Sequence, residues 1–77
     1  MEAGERTVRV GSSVEIRDGD VTERWRIVHA FEADALQHAI SDGSPLATAL
    51  LGHGMGDVVK VRVPGQRSYP VRILSVD

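Results

Sequence analysis

Three histidines, a glycine-rich turn and nine lysines and arginines are the residues through which this chain of 77 could do chemistry. His29, His38 and His53 lie 9 and 15 positions apart. No two have the i, i+4 spacing that sets a pair of metal ligands on one helix face, so they read as surface or half-buried residues. None of the serines is flanked as a nucleophile elbow. The stretch "GHGMGD", 52–57, is glycine-rich but follows a helix signal and opens a strand signal. A phosphate loop needs the reverse order, because the helix N-terminus supplies the field. The residues therefore point to no catalytic group, no metal and no cofactor. Arg24 and Arg26 share one strand face, as do Lys60 and Arg62. With a formal charge of −2 and only three aromatics for base stacking, these cations read first as solvated outer faces of strands.

A chain of this length is one domain with a small core. There is no cysteine, which excludes disulfides, thiol catalysis and cysteine zinc sites. No apolar run approaches the ~20 residues that cross a membrane. "MEAGERTVRV" lacks the apolar stretch of a signal peptide. Residues 1–7 are expected to form a flexible segment ahead of a domain over 8–77.

The elements that must position these residues follow from periodicity. Val8, Val10, Val14 and Ile16 alternate with polar residues, interrupted by Gly11, Ser12 and Ser13. This predicts a strand with a bulge or bend. "RDGDV" predicts a hairpin turn into a second, antiparallel strand over 21–31, with Val21, Trp25, Ile27 and Phe31 on one face. Over 32–40, Ala33, Leu36, Gln37 and Ile40 would share one helix face, with an extended connector as the alternative. Ser44 and Pro45 are a helix start, cap and first residue. The helix should run over 45–51, bury Leu46, Ala49 and Leu50, and stop at Gly52. Val59, Val61 and Val63 alternate into a strand, "VPGQ" is a type II turn, and 68–76 is the last strand. Pro70 places itself at an edge or near that strand's start. The fold class is α+β, an antiparallel sheet with a short helix on one face.

In order along the chain, "VRVGSSVEI", "ERWRIVHAFEAD", "ISDGSPLATALLGHGMGDVVKVRVPG" and "YPVRILSV" resemble the C-terminal domain of the Gre family of bacterial transcription elongation factors. The resemblance covers the chain from about Val8 onward. It implies an FKBP-like fold, a curved antiparallel sheet packed on one short helix. It further implies a cytoplasmic, monomeric domain that docks on RNA polymerase at the rim of the secondary channel. Neither a membrane nor sequence-specific DNA binding is expected. In the family, RNA cleavage depends on a separate N-terminal coiled coil with acids at its tip. Only seven residues precede Val8 here, so the expectation is an excised domain or a homologue that does not cleave RNA. A stand-alone homologue would compete with other secondary-channel regulators.

The family's contact loop falls on Ser41, Asp42, Gly43, Ser44 and Pro45, with Leu46 beginning the helix. Gly43 stands where the family often has a polar or acidic residue, and the acid is one place earlier at Asp42. His29 stands where the family tends to have glycine, near the turn into Glu32 and Asp34, and Trp25 where it tends to have tyrosine. Prolyl isomerisation, suggested by the fold alone, would need a cluster of aromatics to hold a proline ring. Trp25, Phe31 and Tyr69 are too few for that.

Overall fold

Val14 and Ile16 are fully buried while Glu15 and Arg17 point outward, so the two-residue period builds strand β1 (Ser13–Asp18). The computed structural model describes residues 6–77. The expected mobile segment lies outside the described residues over 1–5. Thr7 forms a bridge with Gly54, and Val8 is buried and hydrogen-bonded to the 52–53 backbone. Between Val8 and β1 the chain bends at Gly11 (φ 98°), which leaves Val10 exposed.

Gly19 and Asp20 connect β1 to β2 (Val21–Val28), and the positive φ of Gly19 (61°) is what a two-residue hairpin demands at its first central position. β2 stops three residues before the expected end. Phe31 is 87% exposed rather than on the core face with Ile27.

Residues 32–40 are not one helix. Two single 3-10 turns, Ala30–Glu32 and Ala35–Gln37, lead to a short strand, β3 (Ala39–Ser41). Local hydrogen bonds win over helix propensity here. The Asp34 carboxylate accepts the Leu36 N–H at 3.1 Å, and the Asp34 and Ala39 backbones bond each other in both directions. His38 turns left-handed (φ 53°). Leu36, expected on the buried stripe, is 92% exposed.

β3 pairs with β2 in parallel, Ile27 opposite Ile40. The sheet is therefore mixed rather than wholly antiparallel. Its order is β3-β2-β1-β5-β4, with β4 (Val58–Val61) and β5 (Tyr69–Val76) completing five strands. All remaining pairs are antiparallel, as expected. A bulge at Leu74 shifts β5 against β1, which increases the local twist. Pro70 is opposite Lys60, near the start of β5 and beyond the stretch paired with β1, so its missing N–H breaks no ladder bond on that side.

Helix α1 (Pro45–Leu50) closes the core by packing on β4. Ala47 and Leu50 are fully buried among Val14, Ile16, Val61 and Ile73. Leu46 and Ala49, expected in that stripe with Leu50, are only partly buried beside it. A helix this short has no stability of its own. It is held by this burial, and the chain reverses after it at Gly52 (φ 84°). The glycine at 54 has a separate cause: a Cβ there would lie 3.0 Å from the Arg6 carbonyl oxygen, where the incoming chain crosses.

Candidate functional site

The loop 41–45 joins β3 to α1, and every one of its turns is tied to a neighbour. The Asp42 N–H donates to Val28 O at 2.8 Å, which fastens the loop to β2. The Ser41 hydroxyl accepts the Gly43 N–H at 3.0 Å, and Ser44 N–H donates to Ser41 O at 3.0 Å. Ser44 then caps α1, its Oγ accepting the Ala47 N–H at 3.2 Å, while Thr48 donates its N–H and hydroxyl back to Ser44 O. The expected cap and first helical residue are both in place. The loop is consequently a stiff corner. Gly43 and Pro45 are exposed on it, and Ser41, Asp42 and Ser44 are half-buried.

Gly43 is not demanded by backbone geometry. Its φ is not positive, and a Cβ would meet nothing nearer than Ser41 Oγ at 3.7 Å. A polar residue would fit there. His29 lies against this loop rather than acting on the 32–34 turn alone. Its Nδ1 is 3.8 Å from Asp42 Oδ2, an ion pair when the imidazole is protonated. The His29 ring also stacks on Phe31, 6.0 Å between centroids. Trp25 keeps its aromatic role, half-buried, stacked 4.6 Å from the His38 ring and donating Nε1–H to Glu23.

On the other side of Pro45 lies a shallow groove of about 320 Å³, lined by Pro45, Thr48, Ala49, Lys60 and Arg62. Lys60 and Arg62 look in sequence like ordinary outer-face cations of a strand. They reach the site only because α1 packs on β4, and no local spacing announces that. The loop thus has an acid, Asp42, on one flank and two cations on the other. Among the described residues neither cation has an acidic partner within 4 Å.

The 52–57 turn does structural work. The Asp57 carboxylate accepts the Gly54 N–H at 2.9 Å and lies 3.4 Å from His53 Nδ1. The Gly54 hydrogen bond, aided by His53, holds the Asp57 pKa below its ordinary value despite an opposing desolvation. Burial, with Asp18 and Glu23 nearby, pushes the Tyr69 phenol up. Among the described residues no cluster of three acids and histidines could hold a metal ion, and no helix is long and apolar enough to cross a membrane. Neither that groove nor one beside Arg17 and Arg72 is lined by Trp25, Phe31 or Tyr69.

Comparison with known proteins gives a consistent family. The model "Transcription elongation factor, GreA/GreB, C-term" matches residues 3–77. Transcription elongation factor GreA of Bradyrhizobium is 43% identical over 68 residues, covering 84% of this chain and 43% of its own length. GreA of Staphylococcus epidermidis is 38% identical over 71 residues, covering 90% and 45%. The chain therefore spans less than half the length of these relatives. Among solved structures, Thermus thermophilus Gfh1 superposes with a TM-score of 0.79 at 32% identity, covering 100% of this chain and 53% of that one. The Nitrosomonas europaea GreA/GreB factor gives 0.70 at 30% identity, covering 90% and 58%. These matches bear out the α+β, FKBP-like expectation. The chain belongs to the GreA/GreB family of transcription elongation factors and corresponds to their C-terminal domain.

Proposed function

We propose that this domain docks on bacterial RNA polymerase, at the rim of the secondary channel, through the loop 41–45 and the groove beside Pro45. It acts by binding, with no catalytic residue of its own. The observation that carries this is the stiff loop. Its backbone is bonded to β2 at Asp42 and to α1 at Ser44, while Gly43 and Pro45 face outward. A binding surface already held in one geometry avoids much of the ordering cost of association. Asp42 on one flank and Lys60 and Arg62 on the other supply charge of both signs, which orients a partner more than it tightens it. Family membership makes a transcription complex the natural partner.

The test is titration of the 15N-labelled chain with core polymerase. Line broadening should begin at residues 41–49 and at Lys60 and Arg62. Pro45→Glu should weaken binding at least tenfold without unfolding the domain. Uniform or absent broadening would refute docking through this loop. A domain bound in this way occludes the site for any other factor that uses the same rim, so competition follows from the same surface.

A further inference from the structure

The strand register gathers cations that the sequence scatters. On the outer face of the sheet, away from the core, β2 carries Arg24 and Arg26, β1 carries Arg17, β5 carries Arg72 and β4 carries Lys60. Arg17 is directly opposite Arg72, and Arg24 is one outward-facing place along from Thr22, the partner of Arg17. The result is an oblique row of five cations across four strands. Two acids share the face. Glu15 and Asp77 both engage Arg24, at 3.7 and 2.8 Å. Arg17, Arg26, Lys60 and Arg72 have no acid within 4 Å among the described residues.

The chain's charge of −2 hides this, because most acids among the described residues lie elsewhere. Asp18 and Glu23 bear on Tyr69, Asp20 is in the hairpin turn, and Glu32, Asp34, Asp42 and Asp57 are in connectors.

Like charges directly opposite on neighbouring strands destabilise a sheet. The Arg17–Arg72 pair does so with no internal counterion. The Arg17 Nε donates to Gly19 O at 3.0 Å, which fixes the stem and leaves the two terminal amino groups to bond something else. A groove of about 260 Å³ runs between Arg17, Gly19, Pro70 and Arg72. From this row we infer that the outer face of the sheet binds the phosphate backbone of duplex nucleic acid, without reading sequence.

Three features select this partner. The guanidinium fork matches a phosphate. Val58 and Pro70 are exposed apolar residues on the face, and two small side chains do not make the broad apolar centre of a protein interface. No aromatic stands there to stack unpaired bases, since Trp25 and Tyr69 pack against the core and Phe31 is in the β2–β3 connector. The loop 41–45 is not part of this face, which meets the docking groove only at Lys60.

The test is fluorescence anisotropy of the whole chain with a labelled 20-base-pair duplex of mixed sequence, from low to physiological salt. A Kd near ~10⁻⁴ M is expected at physiological salt, with log K falling about 0.9 per neutralised phosphate against log salt, a slope of about −3 to −4. Arg17→Ala with Arg72→Ala should weaken binding at least tenfold at low salt and flatten the slope by about 2. That double variant relieves a repulsion and should keep its amide spectrum. Pro45→Ala, which places no new charge beside Lys60, should bind the duplex as the parent does. Absence of saturable binding at low salt, a slope unchanged in the double variant, tighter binding to the single strand, or equal binding to polyglutamate would each overturn the inference.

Discussion

Replacing Ser44 by alanine separates the stability of α1 from whatever the loop binds. Ser44 Oγ accepts the Ala47 N–H at 3.2 Å, and Ala47 is fully buried, so the freed amide has little water to turn to. Thr48 N–H still bonds Ser44 O, so the helix keeps its first backbone bond and loses only its cap. The cost should be about 1 kcal/mol, within the ~0.5–2 kcal/mol range of N-cap deletions. In a domain of this size that lowers Tm by about 4–8 °C. Ser44→Gly fits the extended φ of −70° and should cost only a few tenths of a kcal/mol, about 0.3. Urea titration followed by Trp25 fluorescence reads both, because that ring is half-buried against His38. The slope m should not change, since the surface exposed on unfolding is the same. An unchanged midpoint for Ser44→Ala would show that the hydroxyl does not cap the helix. A loss above ~3 kcal/mol would exceed a lost cap and place Ser44 in the core packing instead.

Four other outcomes follow from burial and charge. Leu50→Ala should cost about 2–5 kcal/mol in the same titration, because the residue is fully buried between α1 and the sheet. Leu36→Ala should stay within about 0.5 kcal/mol, and a core-sized loss would restore the helix that the composition of 32–40 suggests. Gly43→Asp should fold within about 0.5 kcal/mol of the parent, since its φ is not positive and the nearest atom to a new Cβ is 3.7 Å away. Asp57 has a lowered folded pKa, so its contribution is present above the unfolded carboxylate value and is lost as pH falls through the folded one. The stability gap between the parent and Asp57→Asn should therefore close below about pH 4, and a constant gap down to pH 2 would show that the ionised carboxylate is not what holds Gly54.

Local signals were enough wherever a few neighbouring residues decide the conformation. Asp18-Gly19 gives the hairpin, Ser44-Pro45 the helix start and Gly52 its stop, and the alternation of Val14, Ile16, Val59 and Val61 gives the strands and their buried faces. The ordered motifs also reached the family, because together they cover most of one domain. The loop 41–45 was legible as a corner for the same reason.

What lay beyond the sequence depends on contacts between distant positions. Over 32–40 the helical composition lost to Asp34 and to pairing of Ala39–Ser41 with β2, a contact no local window contains. Ala47 rather than Ala49 is the fully buried alanine, because the packing of α1 on β4 sets which side of a six-residue helix faces inward. Lys60 and Arg62 join Pro45 only through that same packing. Arg17 meets Arg72 only through the pairing of β1 with β5. Periodicity tells which side of its own strand a residue takes. Sheet order and register decide which charges become neighbours, and those are properties of the folded chain alone.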